Sequence, residues 1–579
     1  MKKIINPVCL LMGFLLLLFF VSGCRGSDPD LPEIEDETIL LSELADYTVV
    51  YPSNATSELV ESVSVLTAKL REIYGVVLFV RDDFVLESVE DTKIRDREIL
   101  IGATNREQST NFLSALRAND YGWKIDGGKL VIAGLTEETV KTAIECFISR
   151  VCAEKRDPVF FSNLNHSYLF TDQYPLSRIQ LGGKDISEYR IVYSSKPGNA
   201  EIAAADLVRR AVADECGVLL PIVKDSVAAQ EGEILVGKTN RESVTVSETG
   251  KYAVGMLENG NVYLAGESAT GLYFAARELA VQIRRATSED LTVKTVKQFI
   301  PDDELTLMSW NLCQQHDFTA ARISAFIAQI KQVAPDVVFL QEARLTDAQR
   351  AEMLSGLGSG YANAISVKKG EPIAYYNQLN KEMYYNSDLL DVVWSDYFWI
   401  SETPDEPSTF QYASEGYRDG VSACFERKAD GKRFIVVTFH PEWTTTAEMQ
   451  EQGIDGKSMR AKQYALVSER IAKYQLENPG IPVFLGGDFN AVWNNGSEAM
   501  VKAIKADGFY NAEETAFEAF PGPTHPSSGT VIDHILCESN AVYFTRYEAV
   551  QLGNYVNDRQ DPGTNPADHN PVVAKFVFS

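Results

Sequence analysis

The sequence predicts an α/β protein in which two small repeated α/β modules precede a C-terminal sheet sandwich. Three observations support this prediction. The chain has 579 residues, which is too long for one ordinary hydrophobic core and implies roughly two to four domains. Before residue 290 a set of landmarks occurs twice in the same order, and after residue 300 several apolar segments end in polar residues.

The first 24 residues have the layout of an export signal. MKKIINPVCLLMGFLLLLFFVSGC begins with two lysines, and its apolar run from Val8 to Val21 is too short for a comfortable transmembrane span. Its end, VSGC, resembles the bacterial lipobox, whose cysteine, here Cys24, is lipidated. The resemblance implies a signal peptide over residues 1–23, a tether over 24–39 and a lipid anchor in the cell membrane or outer membrane. The alternative, an uncleaved anchor helix, also leaves the rest of the chain extracytoplasmic.

The other cysteines and the charge balance argue against several classes of protein. Apart from Cys9 and Cys24, the cysteines are scattered without a CxxC pair, so neither a zinc site nor a dense disulfide framework is indicated. With 81 acidic against 54 basic residues, the surface repels polyanions, and tight nucleic-acid binding is not expected.

Two segments repeat each other and define module 1, residues 40–172, and module 2, residues 173–290. The first contains YTVVYPS, REILIGATNRE and YGWKIDGGKLVIAG, and the second contains YRIVYSS, GEILVGKTNRE and YAVGMLENGNVYLAG. The shared order of these landmarks indicates a tandem duplication. The pattern of each copy predicts a strand, a helix, two strands, a hairpin and a helix, in that order. DGG and ENG supply the hairpin turns.

The repeated T-N-R-E segment resembles the accessory α/β domains that precede the catalytic barrel of several glycoside hydrolases, such as alpha-glucuronidases. That resemblance implies a glycan as a partner of the modules. Two interpretations stay open for Asn105 with Arg106 and for Asn240 with Arg241. They contact a ligand, or they cap the turn after a strand.

From Leu305 onward the pattern changes, after a polar junction over residues 284–304. Apolar strands now deliver polar residues to their ends, and all histidines except His166 lie in this part. The segments are LTLMSWN with Asn311, APDVVFLQE with Glu342, KRFIVVTFHP with His440, PVFLGGDFN with Asp488 and Asn490, GTVIDHIL with Asp533, and ADHNPVVAKFVF with Asp568 and His569. Polar strand ends of this kind meet at the rim of a sheet sandwich, where a site is expected.

Asp488 and Asn490 stand two residues apart, so in an extended segment their side chains share one face. An ionised aspartate accepts hydrogen bonds or binds a cation, whereas asparagine also donates, so the pair suits a water or metal beside an oxyanion. The alternative interpretation is an Asx turn that caps the strand.

The ordered set WN, QE, TFH, GDFN, IDHI and ADH resembles the endonuclease/exonuclease/phosphatase superfamily over about residues 303–579. FWISETPDEPS at 398–408 is similar to a segment common in bacterial members. The resemblance implies a C-terminal four-layered α/β/β/α sandwich and a metal-dependent phosphoric ester hydrolase. Its divalent cation, Mg²⁺ or the substitute Mn²⁺, neutralises phosphate charge and stabilises the leaving oxygen.

The resemblance also implies roles for five residues around the cation and the phosphate. Glu342 is the chief metal ligand, with Asn311 and Asp568 near the same cation. Asp488 orients the attacking water, and Asn490 donates a hydrogen bond to a phosphoryl oxygen as charge develops.

Proton transfer and phosphate binding fall to a second group of residues. His569 is the general base, paired with Asp533, which fixes its tautomer. His440 is a second donor or general acid, and its expected glutamate partner is Glu382 in NKEMYYNSD. Arg418, in GYRDGVSACF, stands where several relatives keep a phosphate-contacting arginine; the alternative is an ordinary surface arginine.

Three further histidines receive no catalytic role. His534 and His525 are interpreted as structural neighbours of the site, since relatives often have an aromatic residue in place of His534. His316 stays unassigned.

Departures from relatives narrow the substrate. Inositol polyphosphate 5-phosphatases follow GDxN with arginine and carry PxWCDR, whereas this chain has GDFNAVW and GTVIDHI. A DNA-cutting enzyme needs a basic groove, yet acidic residues outnumber basic ones after residue 300. We therefore expect a phosphodiester in a lipid head group, a glycan or another small substrate. The alternatives are a surface glycan-binding lipoprotein with an inactive phosphoesterase-like domain, and an extracellular nuclease.

Overall fold

The computed structural model describes residues 37–86, 88–153, 157–241, 244–315, 317–414, 417–539, 541–552 and 566–579. The chain divides into two compact units, which meet between Asp172 and Gln173 in sequence. The predicted signal peptide, Cys24, most of the tether and His316 lie outside the described residues. No helix in these ranges combines the length and the apolar character that crossing a bilayer requires.

The described residues of the first unit form a six-stranded sheet and a two-stranded one. Its strands are β1 (Thr38–Leu40), β2 (Thr48–Tyr51), β3 (Phe79–Asp82), β4 (Glu98–Ile101), β5 (Tyr121–Asp126), β6 (Lys129–Gly134), β7 (Val159–Ser162) and β8 (Tyr168–Phe170). Its helices are α1 (Ser57–Tyr74), α2 (Glu107–Leu113), α3 (Glu137–Val151) and α4 (Asn163–His166). Helix α1 begins where the Thr56 hydroxyl accepts from the Leu59 amide, and it ends at Gly75, whose φ of 74° the absence of a Cβ permits.

The second unit begins with module 2, whose described residues form another six-stranded sheet and a three-stranded one. Its strands are β9 (Gln180–Leu181), β10 (Lys184–Asp185), β11 (Arg190–Tyr193), β12 (Ile222–Lys224), β13 (Glu233–Val236), β14 (Lys251–Met256), β15 (Val262–Gly266), β16 (Asp290–Leu291) and β17 (Val296–Phe299). Its helices are α5 (Asn199–Cys216) and α6 (Ala269–Arg284).

The two six-stranded sheets have the same topology. Their strand orders are β3-β2-β4-β6-β5-β8 and β12-β11-β13-β15-β14-β17. In each sheet the first four strands are parallel and the last two run antiparallel to their neighbours. The first parallel pair of each sheet, β2–β3 and β11–β12, is joined through a helix, α1 or α5, as the alternation of strand and helix patterns in the sequence predicts.

The repeated Asn-Arg pairs hold the turn after the third parallel strand of each sheet. Arg106 Nε donates to Glu98 at 2.9 Å, and Arg241 Nε donates to Glu233 at the same distance. The side-chain amide of Asn105 donates to a backbone carbonyl at 2.8 Å, as Asn240 does in module 2. Because the described groups satisfy these side chains, the structure favours the turn-capping interpretation over ligand contact.

The C-terminal domain contains the remaining elements. Its strands are β18 (Leu305–Asn311), β19 (Val337–Gln341), β20 (Tyr361–Asn363), β21 (Glu382–Asn386), β22 (Leu390–Trp399), β23 (Asp419–Arg427), β24 (Arg433–Phe439), β25 (Val483–Asp488), β26 (Tyr510–Asn511), β27 (Glu518–Phe520), β28 (Asp533–Cys537), β29 (Val542–Ala549) and β30 (Val572–Phe578). Its helices are α7 (Ala320–Val333), α8 (Asp347–Leu357), α9 (Ile373–Tyr376), α10 (Ala447–Glu451), α11 (Gly456–Glu477), α12 (Ala499–Ala506) and α13 (Ala512–Thr515).

These elements form four layers. A seven-stranded sheet, β20-β21-β19-β18-β30-β29-β27, faces a six-stranded sheet, β22-β23-β24-β25-β28-β26. An apolar core that includes Phe339, Trp399 and Phe484 lies between the sheets. Helix α7 packs on the outer face of the first sheet, and α11 and α12 pack on the outer face of the second. The predicted α/β/β/α sandwich is confirmed.

One hydrophobic cluster contains residues of both module 2 and the C-terminal domain. Tyr273 of α6 is fully buried, and its ring centroid lies 5.4 Å from that of Phe517 and 4.9 Å from that of Tyr543. Val577 of β30 belongs to the same cluster. The side-chain amide of Asn199 donates to the carbonyls of Glu514 and Ala516, at 2.9 Å each. Module 2 is therefore part of the body that supports the C-terminal domain.

The Tyr273 hydroxyl is buried and has no hydrogen-bond partner among the described residues. We expect Tyr273→Phe to leave stability unchanged or to raise it by up to about 1 kcal/mol, because an unpaired buried hydroxyl costs free energy. Tyr464→Phe is the matched control: its hydroxyl donates to Asp507 at 2.7 Å, so its loss should cost about 1.5–3 kcal/mol. Thermal unfolding of both variants measures the difference, and equal losses would contradict the expectation.

Candidate active site

The predicted site residues meet at one edge of the sandwich. β18 and β19 run parallel in one sheet, and β24 and β25 run parallel in the other, so their carboxyl ends reach the same edge. β28 and β30 run antiparallel to these strands and therefore begin there. This topology brings together Asn311, Glu342, His440, Asp488, Asn490, Asp533, Asp568 and His569.

Asp488 and Asn490 enter the site through a turn. Strand β25 ends at Asp488, and the backbone amide of Asn490 donates to Asp488 Oδ1 at 2.8 Å. Asn490 has a φ of 50°, so the prediction that both side chains share one face of an extended strand is wrong. The Asx turn is present, and it is the turn itself that directs both side chains into the site.

Asn311 bridges the two sheets. Its Nδ2 donates to Asp488 Oδ2 at 2.9 Å and to Glu342 Oε1 at 3.2 Å. Its Oδ1 accepts from the backbone amide of Cys313 at 2.9 Å. Because the backbone amide can only donate, this contact fixes the amide orientation. Asn311 thus faces the predicted metal ligand with its nitrogen, and an oxygen contact from Asn311 to a cation is not part of this arrangement.

His569 lies between two carboxylates. Its Nδ1 is 2.7 Å from Asp533 Oδ2, and its Nε2 is 3.6 Å from Asp488 Oδ2. Burial lowers the pKa of His569, but the charges of Asp533 and Asp488 outweigh it and raise the pKa to about 10. Burial raises the pKa of Asp488 to about 7, against the opposing charge of His569. The pairing of His569 with Asp533 is present as predicted.

His440 lies on the other side of Asp488. Its Nε2 is 3.4 Å from Asp488 Oδ2 and 2.8 Å from Asn490 Nδ2. Asn490 Nδ2 also donates to the carbonyl of Pro441, at 3.3 Å, so Nε2 of His440 is an acceptor and the proton of the neutral ring sits on Nδ1. Burial, with the nearby charges of Arg418 and Lys381, holds the pKa of His440 well below its ordinary value. A neutral ring favours the predicted hydrogen-bonding role over the general-acid role.

Glu382 is not the partner of His440. Its carboxylate accepts from Arg350 Nε and from Asn363 Nδ2, and it is 2% exposed. The prediction was wrong because β21 begins at Glu382 with its side chain on the face toward Arg350 of α8. The preceding residue, Lys381, lies on the site side instead, and its Nζ is 2.9 Å from Asp419 Oδ1.

Arg418 lies close enough to His440 to depress its pKa. Its guanidinium is loosely held, 3.9 Å from Glu442 and 3.4 Å from the Ser414 hydroxyl, and its side chain is 12% exposed. A nearly buried guanidinium with weak protein partners has donors left for an anion. This geometry favours the phosphate-contacting interpretation over that of an ordinary surface arginine.

Two carboxylates suit a hard cation. Glu342 accepts from Asn311 Nδ2 and from the Gln314 amide, and His440 Nδ1 lies 3.9 Å from its Oε1, which leaves lone pairs open. Asp568 Oδ1 is buried and has no hydrogen-bond partner in the described part of the chain. Oxygen donors of this kind are the ligands that Mg²⁺ prefers. The predicted metal roles of Glu342 and Asp568 therefore fit the residues present, whereas that of Asn311 fits less well.

Backbone strain is concentrated at this edge. Cys313, Glu342 and Asn490 have φ values of 58°, 50° and 50°, in the left-handed region that side chains with a Cβ rarely adopt. Each of them follows the end of a strand by one or two residues. Such conformations cost of order 1–3 kcal/mol each and persist where the surrounding structure enforces them, which is typical of functional sites.

His534 is fully buried beside the site and hydrogen-bonded at both ring nitrogens. Nε2 lies 3.0 Å from the carbonyl of Ala491, and Nδ1 lies 3.3 Å from Asn511 Nδ2. These contacts require a neutral ring with its proton on Nε2. Burial lowers the pKa of His534 below its ordinary value.

We expect this histidine to weaken the fold in mild acid. Its stabilising contribution is present above the unfolded pKa of about 6.5 and is lost as the pH falls toward the lower folded pKa. The slope is at most about 1.4 kcal/mol per pH unit for one proton. Urea unfolding at pH 7.0 and 5.5 should show a smaller pH effect in His534→Gln, and an unchanged pH effect would contradict this account.

Comparison with known proteins assigns this region to a family. Residues 308–569 match the family model described as Endonuclease/Exonuclease/phosphatase family. The chain carries an endonuclease/exonuclease/phosphatase domain. The residues matched run from β18 to His569, so the matched region contains every site residue described above.

Individual relatives match this domain. The chain is 27% identical over 202 residues to a 5'-tyrosyl-DNA phosphodiesterase of Caenorhabditis briggsae, covering 34% of this chain and 47% of the relative. It thus spans about half the length of that curated relative. A mannosyl-6-phosphatase structure from Bacteroides thetaiotaomicron VPI-5482 is 22% identical, with 47% and 100% of the two chains covered and a TM-score of 0.38. The D. rerio TDP2 structure complexed with single-strand DNA product is 17% identical, with 48% and 99% covered and a TM-score of 0.33.

Sequence reasoning missed one feature of this domain, a buried ion pair. The Lys381–Asp419 ion pair joins the starts of β21 and β23, which belong to different sheets, and both side chains are at most 1% exposed. The only sequence signal for it is that each partner adjoins a residue already singled out, Glu382 and Arg418. His525 lies against His569, with ring centroids 4.9 Å apart, and is thus a neighbour of the site as predicted.

Proposed function

We propose that this protein is a metal-dependent phosphoric ester hydrolase that cleaves a phosphodiester outside the cytoplasm. The observation that carries the proposal is the convergence on Asp488, which lies within 3.6 Å of His569, His440 and Asn311 at the edge of the sandwich. A carboxylate between two imidazoles and an amide suits the transfer of protons beside a phosphate.

The Asp488–His569 pair holds the proton of the attacking water. The pKa of Asp488, about 7, lies near neutral pH, where a proton acceptor is most effective. The pKa of His569, about 10, keeps its ring protonated at neutral pH, so Asp488 takes the proton of the water and the imidazolium faces that carboxylate through Nε2. Asp533 accepts from Nδ1, which fixes the ring and stabilises the imidazolium.

His440, Asn490 and Arg418 bind the phosphoryl oxygens. The neutral His440 ring offers the proton on Nδ1, and Arg418 supplies a permanent positive charge. Asn490 uses its amide nitrogen for His440 and the Pro441 carbonyl in this structure. Its donation to a phosphoryl oxygen therefore requires that it exchange one of these contacts for the substrate.

Glu342 and Asp568 would hold the divalent cation, for which we propose Mg²⁺ with Mn²⁺ as a substitute. When bound, the cation neutralises phosphate charge and stabilises the leaving oxygen. The endonuclease/exonuclease/phosphatase family is generally metal-dependent, and the open carboxylate oxygens of this site are consistent with that requirement.

The proposed substrate class rests on the charge of the chain and on the predicted export signal. The chain is acidic overall, which disfavours long polyanions. Anchoring through Cys24 would bring the domain to lipid head groups and surface glycans. We therefore propose a phosphodiester in a lipid head group, a glycan or another small molecule. One relative is named a 5'-tyrosyl-DNA phosphodiesterase, and this name supports the proposal that the substrate is a diester.

The test compares a bis-nitrophenyl and a mono-nitrophenyl phosphate as substrates of the purified protein, with Mg²⁺, with Mn²⁺ and with chelator. We expect nitrophenol release that needs the cation and is faster for the diester. Release that is faster for the monoester would overturn the diester proposal alone. No release from either ester under any condition would count against hydrolase function and favour the glycan-binding alternative.

A further inference from the structure

Three metal-capable side chains lie together at the outer side of the site. One donor atom from each of His525, Asp568 and His569 lies within 4.8 Å of the other two. The His525 and His569 rings are tilted by 52° with centroids 4.9 Å apart. The hydrolysis proposed above gives no role to His525.

Hydrogen bonds orient the two imidazoles of this cluster. His569 contacts Asp533 through Nδ1, which leaves Nε2 toward the site. His525 Nδ1 lies 2.6 Å from the Ser528 hydroxyl and its Nε2 lies 3.3 Å from the Ser527 hydroxyl, so a metal ion has to displace one of these hydroxyls. The backbone amide of His525 donates to Thr530 at 3.0 Å, so the turn is held. Asp568 Oδ1 is buried without a hydrogen-bond partner in the described ranges. Outer hydrogen bonds of this kind are what orients metal-ligating histidines.

The donor set selects a different class of cation from Mg²⁺. Two imidazole nitrogens and one carboxylate oxygen suit Zn²⁺ and similar transition metals, whereas Mg²⁺ takes oxygen ligands. Ligands of a four-coordinate zinc ion lie about 3.3 Å apart at ordinary bond lengths. Donor atoms that lie up to 4.8 Å apart therefore have to close on the ion by side-chain movement, and water completes the coordination.

We propose that His525, Asp568 and His569 form a binding site for Zn²⁺ or a similar transition-metal cation, and that its occupation switches hydrolysis off. A bound cation occupies the His569 Nε2 that would otherwise carry the proton. It also binds Asp568, which is then not available to Mg²⁺. The binding part stands on the geometry alone, and the inhibitory part rests on the proposed function.

Equilibrium dialysis of the whole protein against ZnCl₂ tests the binding part. We expect one Zn²⁺ per chain, with an affinity that falls at least tenfold in His525→Gln. Two control variants should keep the wild-type affinity: His166→Gln, which removes an imidazole from the first unit, and Glu342→Gln, which disables the Mg²⁺ site. Co²⁺ used as a probe should give visible absorption bands in the wild type that His525→Gln loses.

The outcomes separate the two parts of the proposal. Equal Zn²⁺ affinity of His525→Gln and the wild type, or a loss confined to Glu342→Gln, would overturn the site. In the activity arm, hydrolysis of each variant is expressed relative to its own zinc-free rate. His525→Gln should need at least tenfold more Zn²⁺ for half inhibition, and equal sensitivity would overturn the switch. If the protein hydrolyses no ester, dialysis and Co²⁺ absorption still decide whether the site exists.

Discussion

Replacement of His569 by alanine should lower kcat for the preferred phosphate ester by about 10³-fold with little change in KM. The imidazole is 5% exposed and lies between Asp533 and Asp488, so no solvent base can take its place without rearrangement. General acid–base groups typically contribute about 10²–10⁴-fold. Steady-state kinetics at saturating Mg²⁺ measures the effect.

Two companion variants show whether the loss is chemical. Asp533→Asn keeps the shape of the partner but removes its charge, and it should cost about 10²-fold in kcat because the imidazolium loses its counter-charge. His166→Ala, an imidazole of the first unit, should keep full activity. Retention of more than a tenth of the wild-type kcat by His569→Ala would show that the Asp488–His569 pair has been wrongly assigned to proton transfer.

Replacement of Lys381 by methionine should lower the free energy of unfolding by about 3–5 kcal/mol. The ammonium is 2.9 Å from Asp419, and neither side chain is more than 1% exposed. Without the lysine, the Asp419 charge stays buried and loses its cation, although Asp419 Oδ2 still accepts from the Asn380 amide at 3.0 Å. Urea unfolding followed by tryptophan fluorescence measures the change.

The double variant Lys381→Met/Asp419→Asn separates the cost of an orphan charge from the value of the pair. Because it removes both charges, it should recover at least half of the loss. Lys575→Met provides the exposed control, since Lys575 and Glu304 are 3.9 Å apart with side chains 41% and 28% exposed, and it should cost less than about 1 kcal/mol. A double variant as unstable as Lys381→Met would show that the orphan charge is not the cause.

Much of the sandwich could be predicted from the sequence because apolar strands and polar strand ends leave direct patterns. LTLMSWN and PVFLGGD alternate little, as buried strands do, and each ends in a residue that the structure places in the site. The pairing of His569 with Asp533 followed from family resemblance, since 36 residues separate the two in sequence.

The errors have a common physical cause. Side-chain direction at either end of a strand depends on the adjoining turn, and the sequence does not encode that turn in its hydrophobic pattern. Glu382 faces Arg350 rather than His440, and Asn490 reaches the site through a left-handed residue instead of an extended strand. The buried Lys381 was invisible for a different reason, because lysine is almost never fully buried unless paired.

The hydrophobic cluster shared by module 2 and the C-terminal domain sets where this protein can be cut and recombined. A graft that starts at residue 303 would uncover Tyr543, Phe517 and Val577, which pack against module 2. A graft that starts at residue 173 carries this cover with it. In a chimera, the transferable cassette is therefore module 2 together with the C-terminal sandwich, and that sandwich alone is a fragment with an open apolar flank.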